Sequence, residues 1–240
     1  MYLSRLILNP RSRLVQRDLA DCHDLHRSVM SGFPEVPAEG DARAALGVLH
    51  RLDANGRTGR LNVLVQSRVE PDWSRLANDY LLDTGGHPAN PVCKEIDGSY
   101  ARIADDRPFV FRLRANPTKR IKTEGASGNS KGSSKRVDLR REEDQLAWLS
   151  RKGADGGFVV ISVRANPEVP NARALPGERV TGWRVPGTPE RMTFGSVLFE
   201  GVLRVTDAER FRETLASGIG SGKAYGFGLL SIAAPRAVEE

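Results

Sequence analysis

The chain has 240 residues, of which 39% are hydrophobic and 28% are charged, and its formal net charge is +6. This length allows one large domain or two small ones, and the apolar fraction supports a buried core. The apolar runs are too short for a membrane helix, and the first nine residues lack a signal-peptide core. Two cysteines without metal-ligand spacing provide no disulfide framework. A soluble cytoplasmic protein is the simplest interpretation.

The first half of the chain predicts three strands and two helices. They are a strand over 2–8, a helix over 22–30, strands over 47–53 and 60–68, and a helix that begins at Pro71. Asp21 is placed to cap the first helix, because an aspartate side chain accepts a hydrogen bond from the first turn. The turn Asn55-Gly56 joins the two later strands. A fourth strand is the weakest feature of this half.

The second half repeats the order. Its elements are strands over 109–114, 158–163 and 194–205, helices over 141–152 and 206–215, and a last strand that begins near Leu229. Gly153 ends the first of these helices, and Thr206 with Glu209 forms a capping box for the second. Residues 125–134 are rich in Gly and Ser and predict a mobile loop. Residues 164–189 are rich in Pro and Gly and predict a hairpin around Trp183.

Each half therefore reads approximately strand–helix–strand–strand–helix–strand, which is the ferredoxin-like order. We predict an α+β fold with two tandem ferredoxin-like (RRM-like) domains and antiparallel sheets. The first domain spans 1–85, a linker rich in Gly and Pro spans 86–106, and the second domain spans 107–240. The sheet face of this fold commonly binds RNA, although the usual aromatic signature of the RRM is absent.

Positive charge is concentrated in one segment. Residues 107–141 hold eleven Lys or Arg and two acids, a net charge of +9, so the rest of the chain carries −3. Such clustering is expected for a polyanion partner such as nucleic acid. Arginine outnumbers lysine in this segment, and its planar guanidinium suits phosphates and guanine edges. A solvated charged face is the ordinary explanation of a charge run, so the segment alone is a modest indication.

A glycine-rich stretch lies near the C-terminus. Residues 218–228 contain five glycines in eleven positions, with Lys223 among them, and we call this segment the glycine loop. Glycine permits positive φ, and consecutive N–H groups beside a lysine form a concavity that binds anions. A nucleotide-binding P-loop is excluded, because no Ser or Thr follows the lysine and a strand comes next. A plain turn explains the loop about equally well.

Of the four histidines, two lie three residues apart on the predicted first helix. Cys22, Leu25 and Val29 form its buried stripe, with His26 at the border and His23 further out. Partial burial lowers the pKa of a histidine, which suits proton transfer. The alternative is a half-exposed histidine without a function, which is the usual case. His26 differs from that case because Arg27 lies beside it and the second half is basic.

Other chemistries lack support. No Cys/His cluster indicates zinc, no group of acids indicates a two-metal nuclease, and no Gly-x-Ser-x-Gly elbow occurs. Histidine with cations is a minimal set for cleaving RNA through its own 2′-OH. A base removes the 2′ proton, an acid protonates the departing 5′ oxygen, and cations stabilise the pentacoordinate phosphate.

Several motifs together resemble a known family. In chain order they are Leu8-Asn9-Pro10, Arg17-Asp18-Leu19, Asp24-Leu25-His26-Arg27, Glu70-Pro71-Asp72-Trp73-Ser74, residues 111–120 (FRLRANPTKR), residues 197–201 (VLFEG) and the glycine loop. They resemble the CasE family of the RAMP superfamily, the CRISPR RNA-processing endoribonuclease of type I-E Cascade. The resemblance runs from the first strand to the last.

The resemblance implies metal-independent cleavage of CRISPR repeat RNA without a cofactor. The cut falls at the 3′ base of the repeat hairpin and leaves a 2′,3′-cyclic phosphate, and the enzyme stays bound to the product crRNA. It further implies other Cascade subunits as partners and no membrane. His26 matches the catalytic histidine of the family. The matching RNA-binding positions are Arg27, Arg112, Arg114, Lys119, Arg120, Arg184, Gly220, Gly222 and Lys223.

Two departures from the family pattern affect the expected site. Some relatives have a tyrosine where His23 stands, so we expect His23 to take over the supporting catalytic role, either positioning the 2′-OH or acting as a partner of His26. Residues 31–36 match no family motif and receive no role. Two alternatives stay open, a non-catalytic RNA-binding subunit and a structural protein whose basic surface serves solubility. His26 beside Arg27 favours the enzyme, and the clustering of charge disfavours the structural protein.

Overall fold

The structure is a computed structural model that describes residues 1–36, 41–122, 134–163, 166–183 and 191–235. The predicted loop at 125–134 lies outside these ranges except for its last residue, and Arg184 also lies outside them. No helix within the described ranges is both long and apolar enough to cross a membrane.

The first sheet has four antiparallel strands in the described part of the chain, in the order β2-β3-β1-β4. This is the strand order of a ferredoxin-like domain. The elements of this half are β1 (Tyr2–Ile7), α1 (Arg13–Ala20), α2 (Cys22–Met30), α3 (Ala42–Ala45), β2 (Leu49–Ala54), β3 (Leu61–Ser67), β4 (Val92–Glu95) and α4 (Asp97–Ala101).

The second main sheet repeats that order. Its path is β11-β12-β5-β13, and β8 also pairs with β12. The elements of this half are β5 (Pro108–Ala115), β6 (Thr118–Lys122), β7 (Ser134–Asp138), α5 (Glu142–Asp155), β8 (Phe158–Val160), β9 (Ser162–Val163), β10 (Asn166–Pro170), β11 (Ala172–Trp183), β12 (Arg191–Val205), α6 (Ala208–Ser217) and β13 (Leu230–Ala233). The α+β fold of two tandem ferredoxin-like domains is confirmed.

Each sheet covers its own hydrophobic core. The first core includes Leu6, Val29 and Trp73, and the second includes Leu113 and Phe199. The segment predicted as a linker, 86–106, contributes to both halves, because it contains β4 and the buried Ile103 of the second core. We propose that the domain boundary falls within this segment, after β4.

Several local predictions are corrected by the structure. Residues 73–75 form a single 3-10 turn instead of a helix, although Trp73, Leu76 and Tyr80 are buried as predicted. The helix α1 has no counterpart in the predicted elements. The cap of α6 is Asp207, whose side chain accepts the N–H of Arg210 at 3.0 Å, and not Thr206. Both aspartate and threonine suit this position, so the sequence alone does not decide between neighbours.

The helix α5 continues past Gly153 to Asp155. Gly153 is required there by packing, since a Cβ on it would lie 2.7 Å from the carbonyl oxygen of Phe158. A glycine near a helix end thus marks a close contact in this fold and not a stop signal. The strand predicted over 158–163 is divided into β8 and β9.

Polar contacts join the two halves. Arg51 of β2 is 3% exposed, and its guanidinium donates to the carbonyl oxygens of Arg112 and Leu229, each at 3.2 Å, and to Ser231 Oγ at 2.9 Å. Its Nε donates to the Asp53 carboxylate at 2.9 Å. A buried arginine is tolerated only when paired and hydrogen-bonded, and Arg51 meets both conditions. The two halves are therefore held in a defined arrangement, and the site described next lies between them.

Candidate active site at the interface of the two halves

The helix α2, the strand β2 and the glycine loop meet at one place. The ring of His26 on α2 lies nearly parallel to that of His50 on β2, with centroids 6.1 Å apart and planes 20° apart. Tyr225 of the glycine loop is edge-on to both helix histidines, with its ring centroid 6.5 Å from each. We call these four residues (His23, His26, His50 and Tyr225) the histidine cluster. Both halves of the chain contribute to it.

A capping residue and a buried apolar stripe position the helix α2. Asp21 Oδ1 accepts the N–H of His23 at 2.8 Å, so the predicted helix cap is confirmed. Leu25 and Val29 are buried in the first core, as the predicted stripe requires. The helix therefore presents His26 at the border of the core, toward the glycine loop.

His26 is a neutral imidazole at physiological pH. Its pKa is lowered to about 4, chiefly by burial, with smaller contributions from the positive charges of His23 and Arg43 that Asp41 partly opposes. Its Nδ1 is buried and has no hydrogen-bond partner among the described residues. A neutral imidazole has a lone pair that accepts a proton, which is the property of a general base.

His50 packs against His26 on the side of the sheet. It is fully buried, and neither of its ring nitrogens has a hydrogen-bond partner in the described part of the chain. Burial lowers its pKa to about 3, with smaller contributions from His26 and Arg43. The sequence alone does not indicate a role for His50, because a histidine within a buried strand has no distinguishing local pattern.

The glycine loop requires its glycines for conformation and for packing. All five have positive φ, between 73° and 90°: Gly218, Gly220, Gly222, Gly226 and Gly228. A Cβ on Gly220 would lie 3.1 Å from Trp148 Cζ2, and one on Gly228 would lie 2.8 Å from the carbonyl oxygen of Ile219. The loop contains a 3-10 turn over Lys223–Tyr225. This turn places Lys223 in the groove described next and Tyr225 in the histidine cluster.

An open groove of about 660 Å³ runs beside the glycine loop. Its charged side chains come from separate elements, β6, β7, α5 and the loop. They are Arg120, Arg136, Lys152 and Lys223, with Asp155, which is paired with Lys152 at 3.7 Å. Trp148 and Gly220 also line the groove. Its predominantly positive lining suits a phosphate backbone, and the exposed arginines suit bidentate phosphate contacts.

Lys223 lies among other cations. Burial lowers its pKa, and the charges of Arg43 and Lys152 lower it further. An anion at this position would relieve both the repulsion and the loss of hydration. The environment of Lys223 therefore favours the anion-binding interpretation of the glycine loop over the plain turn.

The structure brings some predicted RNA-binding residues together and leaves others apart. Arg120, Gly220 and Lys223 line the groove, whereas Gly222 is the cap residue of the 3-10 turn and does not line it. Lys119 is exposed next to Arg120 on β6. Arg27 is exposed on α2 and forms an ion pair with Asp24, so an RNA phosphate would compete with that carboxylate.

Arg112 and Arg114 lie on the face of the second sheet opposite its core. The Nε of Arg112 donates to Glu200 Oε1 across the strands at 2.6 Å. Arg114 lines a second cavity of about 460 Å³ between the halves, and burial lowers the pKa of its guanidinium. Neither residue reaches the basic groove. Arg184 follows Trp183 directly, outside the described residues.

Arg43 is a site residue that the sequence did not indicate. It lies on the one-turn helix α3, donates to the carbonyl oxygen of Val48 at 3.2 Å and pairs with Asp41 at 3.3 Å. Its charge lowers the pKa of His26, His50 and Lys223, so it lies near all three. Only the tertiary fold brings α3 to the cluster. Within the described ranges, no three His, Cys, Asp or Glu side chains are grouped as metal ligands would be.

Fold and site together define a two-domain ferredoxin-like protein with a buried histidine at the domain interface and a basic groove beside it. The chain belongs to the CRISPR associated protein family, whose model matches residues 1–234. The resemblance to the CasE family is thereby confirmed and is supported by individual relatives.

Two curated relatives match nearly the whole chain. The CRISPR-associated endoribonuclease Cse3 of Thermus thermophilus is 36% identical over 235 residues, covering 97% of this chain and 100% of the relative. The CRISPR system Cascade subunit CasE of Escherichia coli K12 is 30% identical over 237 residues, covering 97% of this chain and 99% of the relative. A solved structure of the CRISPR endoribonuclease Cse3 bound to a 19-nucleotide RNA is similar with a TM-score of 0.77 and 33% identity, covering 97% of this chain and 100% of that chain.

Proposed function

We propose that the protein is an endoribonuclease that processes CRISPR repeat RNA. It cleaves at the 3′ base of the repeat hairpin, without a metal ion or cofactor, by attack of the 2′-OH on the adjacent phosphate. The products are a 2′,3′-cyclic phosphate and a 5′-hydroxyl, and the crRNA stays bound. The observation that carries the proposal is His26, a partly buried, neutral histidine at the interface of the halves, beside a groove lined with cations. Two relatives bearing the names endoribonuclease and Cascade subunit support it.

His26 is the general base of the proposed reaction. Its low pKa keeps it neutral across the physiological range, so it accepts the proton of the 2′-OH as the oxygen attacks phosphorus. Because Nδ1 is buried, Nε2 is the nitrogen that meets the substrate. His23 lies one helical turn away and is the candidate partner. Such general acid–base contributions typically amount to about 10²–10⁴-fold each.

Cations stabilise the phosphate. Arg43 lies near His26, and Lys223 lies near Arg43, so both cations border the place where the pentacoordinate phosphate gains negative charge during the reaction. Further along the groove, Arg120 and Arg136 hold the backbone of the RNA. Several such contacts together explain why the product stays bound after cleavage.

The proposal includes assembly with other Cascade subunits and action in the cytoplasm, where the repeat transcript is available. A non-catalytic RNA-binding subunit is the second candidate. Such a subunit would share the doubled fold and the glycine loop. It would not require a neutral histidine between the two domains, because binding alone involves no proton transfer.

One incubation tests the proposed reaction. The protein is mixed in excess with repeat-hairpin RNA in EDTA, and in parallel with the same RNA that carries a 2′-deoxy nucleotide at the cut site. We expect one cleavage event in the ribose substrate and none in the deoxy substrate, since the attacking nucleophile is absent from the latter. Tight binding of both RNAs without cleavage would instead identify the non-catalytic subunit.

Lys223→Ala is expected to weaken hairpin binding and to reduce its dependence on salt. Each lost phosphate contact lowers the slope of log K against log salt by about one unit. Fluorescence anisotropy at four salt concentrations measures the slope. Lys94→Ala is the matched control, because Lys94 is an exposed lysine on the edge strand β4. Equal slopes for Lys223→Ala and the control would contradict a phosphate contact at Lys223.

A further inference from the structure

The second half of the chain is attached to the first turn of α2. The end of β11 lies against this turn through two hydrogen bonds, and we call residues 181–183 the arm. Asp21 uses one carboxylate oxygen for the helix cap and the other, Oδ2, to accept the N–H of Trp183 at 3.1 Å. His23 Nδ1 lies 2.9 Å from the carbonyl oxygen of Trp183. The backbone of one residue of the second half thus bonds to the side chains of the cap residue Asp21 and of His23 in the first turn of α2.

The arm approaches the helix too closely for any side chain at position 182. A Cβ on Gly182 would lie 2.6 Å from Asp21 Oδ1 and 2.7 Å from Cys22 Sγ. Contacts under 3.0 Å require something to move, and here the neighbours are the cap and the first residue of the helix. Gly182 therefore allows the arm to lie directly on α2.

The contact with Trp183 assigns the two nitrogens of the His23 ring. A carbonyl oxygen only accepts hydrogen bonds, so Nδ1 must carry the hydrogen in this contact. This holds for the neutral ring and for the charged ring. Nε2 is then the nitrogen that can exchange a proton, while Nδ1 is held by the arm. Both His23 and His26 contact the ring of Tyr225, so they border the same space.

His23 and His26 also oppose each other electrostatically. A charge on His23 is the second largest cause of the lowered pKa of His26, after burial. A proton on His23 therefore adds to the effect of burial in keeping His26 neutral. A charged His23 next to a neutral His26 is the arrangement that an acid and a base acting together require.

We propose, on the basis of the proposed cleavage reaction, that His23 is the general acid and that it donates a proton from Nε2 to the departing 5′ oxygen. The arm holds the ring of His23 in position for this step. In the step, the 2′ oxygen loses its proton to His26 and forms a bond to phosphorus. The bond from phosphorus to the 5′ oxygen breaks, and that oxygen takes the proton of His23. His26 ends protonated and His23 neutral, and exchange with water restores both.

A sulfur-substituted substrate distinguishes a general-acid role of His23 from a purely structural one. When sulfur replaces the bridging 5′ oxygen at the cut site, the thiolate leaves without a proton, so the reaction no longer needs the acid. His23→Asn is the informative variant, because its amide N–H takes the place of Nδ1–H toward Trp183 while nothing replaces Nε2. We expect His23→Asn to cleave the oxygen substrate about 10²–10⁴-fold more slowly than wild type under single-turnover conditions, and the sulfur substrate at nearly the wild-type rate.

His26→Ala is the contrasting variant, since a base is needed for both substrates, and it is expected to be slow on both. A His23→Asn protein that is equally slow on both substrates, or unimpaired on the oxygen substrate, would overturn the proposal. Failure of wild type to cleave either RNA would instead overturn the proposed function.

Gly182→Ala tests the arm. Its added methyl group is expected to displace Trp183 from His23, to slow cleavage of the oxygen substrate, and to leave the sulfur substrate fast. Circular dichroism and hairpin binding establish that the variant is folded. A folded Gly182→Ala protein with equal losses on both substrates would show that the arm does not act through the acid.

Discussion

His26→Ala is expected to lower the single-turnover rate of repeat-hairpin cleavage by at least about 10²–10⁴-fold while the hairpin still binds. The rate falls because the neutral imidazole that accepts the 2′ proton is lost, and alanine has no group that replaces it. Binding is retained because the cations of the groove, Arg120, Arg136 and Lys223, lie on other elements. Rapid mixing with excess protein gives the rate, and anisotropy gives the affinity.

His87→Ala is the matched control for this experiment. His87 is exposed and lies in the segment before β4, so its loss is expected to change neither rate nor affinity. If His26→Ala cleaved at the control rate, His26 would not be the base. A large loss of affinity in His26→Ala would mean that the residue holds RNA.

The second large effect concerns stability in acid. His50 and His26 have pKa values lowered to about 3 and about 4, below the value of about 6.5 expected in an unfolded chain. Between pH 6.5 and those values the unfolded chain binds more protons, so the free energy of unfolding falls as the pH falls. Above pH 6.5 this contribution to the pH dependence is absent. For His50 alone, the loss by pH 4 is on the order of 3 kcal/mol.

His50→Leu is expected to reduce this acid sensitivity. Leucine is close to histidine in size and removes two ring nitrogens that have no hydrogen-bond partner among the described residues. Urea unfolding at several pH values between 4 and 7 gives the free energy for wild type and variant. His87→Leu, at an exposed position, is the control and should follow wild type. Parallel curves for wild type and His50→Leu would refute a buried neutral His50.

Much of the fold follows from local patterns. Alternating apolar residues in β1 face the first core and those in β5 and β12 face the second. The cap at Asp21 depends on residues only two apart in sequence. The incorrect helix prediction after Pro71 has a physical cause. At Pro71 the buried spacing of Trp73, Leu76 and Tyr80 matches a helix, but tertiary packing buries the same three residues around a single 3-10 turn. Spacing alone does not distinguish these cases.

The site was only partly predictable. His26, Lys223 and Arg120 come from motifs that resemble a family, and the structure places the first two near one another through the shared neighbour Arg43. His50 and Arg43 have no local signature, because their proximity to His26 arises from the packing of β2 and α3. The contact of Gly182 with Asp21 also has no local signature, because 161 positions separate the two residues in sequence.

The mass of the cleavage product distinguishes attack by the 2′-OH from attack by water. Repeat-hairpin RNA is cleaved by wild type in EDTA, and the upstream fragment, which ends at the cut, is weighed by mass spectrometry. The proposed attack by the 2′-OH predicts a 2′,3′-cyclic phosphate on this fragment and a 5′-hydroxyl on the other. An upstream fragment that ends in a 3′-hydroxyl, with a 5′-phosphate on its partner, would mean that water had attacked and would contradict the account.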